Sequence, residues 1–209
     1  MRCYIAGAGE FCGDMLPGRN DYVIAADAGY TGLIRHGIMP DLVIGDFDSL
    51  GAAPDHPNIL RIPVEKDDTD MMLAVKLGME RGYTTFIING GLGGRPDLTY
   101  ANIQMLSFIS RRGARGVLLG RDMCMTAVTD GSISFLPSGT GLVSVFCAGN
   151  EAEGVTLKGL KYALEHATLT FGFPLGVSNE FTGAPAMITV DNGTLIVMWA
   201  GGIDRLMLP

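Results

Sequence analysis

At 209 residues, with 47% hydrophobic and only 18% charged residues, the chain can bury one large core or two small ones and carries no disordered or low-complexity tract. Its formal charge of -7 and its lack of a clustered Lys/Arg patch exclude a nucleic-acid surface, which needs cations to displace counterions from phosphates. The first residues, MRCYIAGAGEFCGDM, lack the sustained apolar run of a secretory signal, and no stretch is long enough to span a bilayer, so the expectation is a cytoplasmic protein with small-molecule partners and no membrane contact.

In chain order, residues 2–6 read as a short apolar strand ending in Gly7, Ala8 and Gly9. GAGEFCG only superficially resembles a dinucleotide fingerprint, because its third glycine comes early. A second strand over 22–26 stops at Asp27, Ala28 and Gly29, followed by a short helix over 30–36. A third, 42–44, delivers GDFDS, and a fourth, 59–62, delivers VEKDDTD. Met71, Met72, Val75 and Met79 follow a helical period, so Asp68 or Thr69 opens a helix there. A strand over 85–88 leads into the glycine-rich run 89–94, then a helix over 98–111 and a strand over 117–119. This alternation predicts an α/β unit with a largely parallel sheet, whose ligands sit beyond the carboxyl ends of the strands.

Beyond about residue 121 the segments GSISFLP, GLVSVFCAG, GVTLKGL, HATLTFGF, AMITV and GTLIVMWA are short and β-branched or aromatic, separated by turn residues. They predict an all-β sandwich-like domain over 123–209 after an α/β domain over 1–122. Cys3, Cys12, Cys124 and Cys147 show no CxxC spacing and read as reduced, buried small hydrophobes. Trp199, in the last strand, reads as core.

The chemistry gathers between residues 41 and 97. Asp46 and Asp48 straddle Phe47, and in extended chain residues two apart face the same side, so both carboxylates are expected at one point with Phe47 packed behind. Oxygen ligands without histidine or thiolate favour magnesium; a polar turn with backbone-capping aspartates is the plainer alternative. Asp67, Asp68 and Asp70 follow Lys66: Lys66 suits a phosphate or a surface ion pair, Asp70 a metal shell or a helix start, and Thr69 a hydrogen bond to either ligand. Gly90, Gly91, Gly93 and Gly94 offer backbone amides to an anion and Arg95 adds a guanidinium, although no GK[ST] ends the loop as in a Walker motif. Asp97 is either an N-cap or a group that accepts a proton or a polar substrate group. His36, His56 and His166 lie apart from these motifs and receive no catalytic part.

Taken together, ADAG at 26–29, GDFDS at 45–49, KDDTD at 66–70, GGLGGRPD at 90–97 and LKGLKYALEHATLTFGFPLGVSNEF at 157–181 resemble the thiamine pyrophosphokinase family over nearly the whole chain. The resemblance implies a transferase (a kinase) that moves a pyrophosphoryl group from ATP to the hydroxyethyl oxygen of thiamine, giving thiamine diphosphate and AMP. It also implies Mg2+ as cofactor and a homodimer with the site at the subunit interface. It places catalytic or metal-binding carboxylates at Asp46, Asp48, Asp70 and Asp97, nucleotide contacts at Asp27, Lys66, Thr69, Arg95 and the four loop glycines, and thiamine contacts at Ser178 and Asn179, within an SNE that is also good turn chemistry. The family's RxDH histidine is replaced by Leu98, while Asn102 matches the helix beyond. The alternatives are a metal-dependent nucleotide phosphohydrolase using the same acids, and a thiamine- or nucleotide-binding protein without turnover.

Overall fold

The computed structural model describes residues 1–12, 15–48, 51–63, 65, 67–137 and 139–208. Within them the chain forms two compact units, one of residues 1–102 with 118–121, the other of residues 103–117 and those from 122 onward. It is mostly sheet, part parallel and part antiparallel, with few helices.

The first unit opens with β1 (Cys3–Ala6), β2 (Tyr22–Ala26), α1 (Gly29–Arg35), β3 (Leu42–Gly45) and β4 (Ile59–Arg61), then α2 (Asp70–Glu80) and β5 (Thr85–Asn89). Their pairing is parallel throughout, in the order β5-β1-β2-β3-β4, with Ile5 opposite both Ile24 and Ile88. Ile5, Ile24, Ile44 and Ile88 are fully buried. Strands of this kind read as unbroken apolar runs because both faces of the sheet are covered.

Thr69 is the N-cap of α2: its hydroxyl accepts the Met72 N–H at 3.2 Å, which settles the helix start in favour of Thr69 over Asp68. The buried face of α2 is Met71, Ala74, Val75 and Gly78, so Met72 and Met79 are not the core positions their periodicity predicts. Packing explains the shift, since a Cβ at Gly78 would lie 2.6 Å from the Phe86 ring and only a small residue fits. Gly29 has the same character: a Cβ there would sit 2.0 Å from the Ala6 carbonyl oxygen.

Helix α3 (Pro96–Ser110) begins with proline at its first position, where the missing N–H costs nothing. Asp97 therefore lies inside the first turn and is not the N-cap. Strand β6 (Arg115–Leu119) follows α3.

The second unit contains β7 (Met123–Phe135), β8 (Thr140–Cys147), β9 (Glu151–Lys158), β10 (Leu164–Thr170), β11 (Gly176–Thr182) and β12 (Ala186–Ala200), paired antiparallel. AMITV and GTLIVMWA form one strand, β12, with a register shift between Val190 and Thr194 where Gly193 has φ +112°. The Asp-Asn-Gly run makes a bulge here and not a turn. Its first half pairs with β9, its second with β8, and both halves with β7. Ser178 and Asn179, within a segment that also reads as a turn, lie in strand β11. Trp199 is fully buried edge-on to Phe135 at 5.4 Å between centroids, and its indole N–H donates to the Gly202 carbonyl, in line with its reading as core.

No helix among the described residues is long and apolar enough to cross a membrane. All four cysteines are buried thiols outside any disulfide, and desolvation pushes the Cys3 thiol up to about 12. A thiol titration with a chromogenic disulfide is therefore expected to react slowly in native protein and to count four cysteines once it is unfolded. Gly29→Ala is expected to destabilise the fold by about 1–3 kcal/mol in urea unfolding, because the new methyl meets backbone and not a side chain that can turn aside.

Candidate active site

The carboxyl ends of β1, β2, β3 and β5 and the starts of α2 and α3 converge on one cleft of about 480 Å³, within the range of small-ligand sites. Its walls include Ala8 and Gly9 after β1, Asp27 after β2, Asp46 after β3, Thr69, Asp70 and Met71 at the start of α2, and Gly90, Gly91, Gly93, Gly94, Arg95, Leu98 and Asn102. Of the residues singled out in sequence, the structure brings together Asp27, Asp46, Thr69, Asp70, Arg95 and the four glycines. Lys66 lies outside the described residues.

Asp48 is exposed and absent from these walls, so the expected same-side pair of Asp46 and Asp48 does not form. The reason is local: Phe47 has φ +66°, a left-handed conformation that breaks the two-residue alternation of extended chain. The turn is closed by the Asp48 N–H donating to Asp46 Oδ1 at 3.1 Å. Phe47 itself is buried, as its place behind the acids requires. Asp27 is also left-handed, at φ +49°, and its N–H donates to the Ile44 carbonyl at 2.7 Å, binding the ends of β2 and β3 together. Two non-glycine residues in this region, Asp27 on the cleft wall and Phe47 buried beside Asp46, mark a backbone held by its surroundings.

Asp68 lies just before the N-cap of α2 and pairs with Lys76 on that helix at 2.6 Å. Thr69 spends its lone pair on capping α2, which leaves its hydroxyl proton for a ligand. Among the described residues no three His, Cys, Asp or Glu side chains come close enough to hold a metal by themselves, so the set Asp46, Asp48 and Asp70 is not assembled as a closed site. The cleft instead offers Asp27, Asp46 and Asp70, all hard oxygen donors, with no histidine or cysteine on its walls.

The glycine loop is zipped to the segment after β1. Gly7 and Gly9 N–H donate to the Asn89 and Gly90 carbonyls, each at 2.8 Å, and Glu10 N–H to the Leu92 carbonyl at 3.3 Å. Gly90 donates its own N–H to the side chain of Asn89 at 2.8 Å, so it is not one of the amides offered to an anion. The amides of Gly91, Gly93 and Gly94 meet no acceptor among the described residues. Gly93 and Gly94 have φ of +79° and +68°, a conformation suited to an anion-holding nest. Asn102 reaches back from α3 to the Gly91 carbonyl at 2.8 Å. Glu10 carries an ion pair with Arg121. Ala8, Gly9, Asn89 and Glu10 did not stand out in sequence; the glycines closing the first strand were the available signal, and their misfit to a dinucleotide fingerprint hid it.

Arg95 and Asp97 form a two-bond pair, Nε to Oδ1 at 3.2 Å and Nη2 to Oδ2 at 2.5 Å, exposed at the cleft edge. The guanidinium hydrogen bond holds the Asp97 carboxyl below the ordinary aspartate range and raises Arg95 in turn. Asp97 is thereby a weaker proton acceptor than a free aspartate. In the other unit, the Asn179 amide is buried and committed to main chain, accepting from Tyr162 and Glu180 N–H and donating to the Tyr162 carbonyl at 2.6 Å. Ser178 is exposed with φ +59°, its N–H bonded to Ser144.

Strand-end acids, an amide-lined glycine loop and a cleft-edge arginine define a class, the α/β enzymes that handle phosphoryl groups on bound polyphosphates. Residues 15–118 match "Thiamin pyrophosphokinase, catalytic domain" and residues 133–195 match "Thiamin pyrophosphokinase, vitamin B1 binding domain". Thiamine pyrophosphokinase of Bacillus subtilis is 27% identical over 182 residues, covering 84% of this chain and 85% of that protein. Thiamin pyrophosphokinase 1 of Caenorhabditis elegans is 26% identical over 203 residues, covering 88% and 83%. The crystal structure of the Bacillus subtilis enzyme superposes with a TM-score of 0.83 at 24% identity, over 97% of this chain and 100% of that one. The chain belongs to the thiamin pyrophosphokinase family.

The Arg95–Asp97 pair sets a testable titration. Since the folded pKa of Asp97 is depressed, whatever the pair contributes to stability is present above the unfolded aspartate range and lost as pH falls through the folded value. Carbon-detected NMR of the carboxyl is expected to show Asp97 titrating below ordinary aspartates, and Arg95→Ala is expected to move it back up while the unfolding midpoint at neutral pH changes little, both groups being exposed.

Proposed function

We propose that this chain transfers the pyrophosphoryl group of ATP to the hydroxyethyl oxygen of thiamine, releasing AMP and thiamine diphosphate. The observation that carries this reading is the single cleft that gathers Asp27, Asp46, Thr69, Asp70, the glycine loop and Arg95 in a chain matched along both of its parts by one family. Residues 1–122 are read as the ATP- and magnesium-binding part, and the sandwich-like residues 123–209 as the thiamine-binding and dimerising part. Tyr162, Phe171, Phe173, Leu175 and Val177, large apolar side chains exposed in the second part, support a homodimer. The strained, exposed Ser178 supports a ligand contact there, whereas Asn179 acts through the backbone it braces. A cytoplasmic location accords with substrates of this kind.

The oxygen-only walls fit magnesium, an ion held by one or two carboxylates together with substrate phosphates, and one or two of Asp27, Asp46 and Asp70 would hold it. Bound there, it supplies neutralisation of phosphate charge. The protein's own part is positioning. Amides of Gly91, Gly93 and Gly94 and the Arg95 guanidinium orient the polyphosphate and stabilise charge on its oxygens as the thiamine oxygen attacks the β-phosphorus in line. The bond from that phosphorus to the oxygen bridging the α-phosphate breaks, and AMP leaves with the electron pair. The hydroxyl proton passes to a carboxylate. Asp97 is a poor acceptor because Arg95 lowers its basicity, so the proton goes to whichever cleft carboxylate is not engaged by the metal.

Purified protein with ATP and magnesium is expected to form AMP only when thiamine is added, with thiamine diphosphate identified by mass. AMP or phosphate released without thiamine would assign hydrolysis instead; thiamine binding without turnover would assign a binding protein. Asp46→Asn and Asp70→Asn are each expected to lower turnover by about 100-fold or more at unchanged melting temperature. A chelator is expected to abolish AMP formation, and added magnesium to restore it.

A further inference from the structure

Asn89 closes β5 and is fully buried, following the apolar Phe86, Ile87 and Ile88. An amide buried at such a place is costly unless its polar atoms are matched. Here every partner is main chain: Oδ1 accepts the N–H of Cys12 at 2.9 Å and of Gly90 at 2.8 Å, and Nδ2 donates to the Cys12 carbonyl at 2.6 Å. A primary amide has the planarity and the donor–acceptor pairing of a peptide unit, so Asn89 makes with Cys12 the two-bond contact that a neighbouring strand would make. It thereby extends the zip of Gly7, Gly9 and Glu10 along residues 89–92 beyond the reach of the backbone ladder. The stretches it joins, the segment after β1 and the start of the glycine loop, are two that wall the cleft.

We propose that Asn89 is a positioning residue for polyphosphate binding. Its oxygen fixes Gly90, its amide fixes Cys12, and the two together hold the glycine loop in the conformation in which Gly91, Gly93, Gly94 and Arg95 line the cleft. The identity of the ligand as ATP rests on the function proposed above; the positioning role rests on the hydrogen bonds alone.

The test uses full-length protein with Asn89→Leu, which keeps the branching of the side chain and removes all three bonds, and Asn89→Ser, which is smaller and leaves room for a water. Equilibrium binding of a non-hydrolysable ATP analogue with magnesium, KM for ATP, KM for thiamine and melting temperature are measured for each. The analogue's Kd and the KM for ATP are expected to rise about tenfold or more, with KM for thiamine within about twofold of the parent and kcat at saturating ATP falling less than KM rises. A folded variant whose analogue affinity stays within about twofold of the parent overturns the proposal, and so does a parallel rise in both KM values, which signifies general loosening. If Asn89→Leu does not accumulate folded, Asn89→Ser carries the comparison. If the parent protein binds the analogue but makes no thiamine-dependent AMP, the pyrophosphokinase reading fails while the binding measurements still decide the role of Asn89.

Discussion

The end of β1 and the end of β5 approach more closely than any residue with a side chain permits, and the cleft is a consequence of that approach. A Cβ at Gly90 would lie 2.3 Å from the Gly7 carbonyl oxygen, and one at Gly9 would lie 2.5 Å from the Gly90 carbonyl oxygen. With those atoms missing, the two stretches pair backbone to backbone past the end of the sheet, and the glycine loop is laid across the strand ends instead of turning away into solvent. Everything else on the wall is placed relative to that loop: Asn102 grips it from α3, Arg95 leaves it at the start of α3, and Met71 on α2 packs against Gly7. In a parallel sheet the strands all end on the same side, so acids from β2 and β3 arrive at the same edge without further device.

The cleft sets carboxylates from β2, β3 and α2 beside glycine amides and one arginine. Three carboxylates on one wall repel a bare polyphosphate, while Arg95 at the edge is already engaged by Asp97. A phosphate that displaces Asp97 from Arg95 exchanges one exposed ion pair for another, a step of small net cost in water-accessible surroundings. Recognition of this kind depends on the order of the oxygen donors more than on hydrophobic burial.

Much of the α/β unit was legible because its signals are local. Apolar runs of four or five residues ending near glycine or aspartate, with helical periods between several of them, read as parallel strands. The acids after each strand and the glycine loop before α3 were legible for the same reason. The antiparallel unit was legible in kind but not in count: Asp191, Asn192 and Gly193 carry turn chemistry, and only the continuous partner β7 on one side shows that they bulge a single strand. Likewise Ser178, Asn179 and Glu180, which carry turn chemistry in sequence, lie in a strand because β8 supplies a partner for Asn179 and Glu180.

What the sequence determined by itself is therefore a mostly sheet fold with a parallel α/β part, the family, and the residue types at the strand ends: oxygen donors, glycine amides and a guanidinium. Those follow from residue type and short-range spacing. The tertiary structure alone decided which of those groups share a cleft. Phe47 takes a left-handed conformation and turns Asp48 outward, Gly90 loses its amide to Asn89, and Asp97 is drawn to Arg95 inside the first helical turn. Each outcome depends on a dihedral angle or a contact between residues far apart in the chain. Asn89 shows the limit most plainly, since a lone buried asparagine has no meaning until the backbone of Cys12, 77 positions away, is brought beside it.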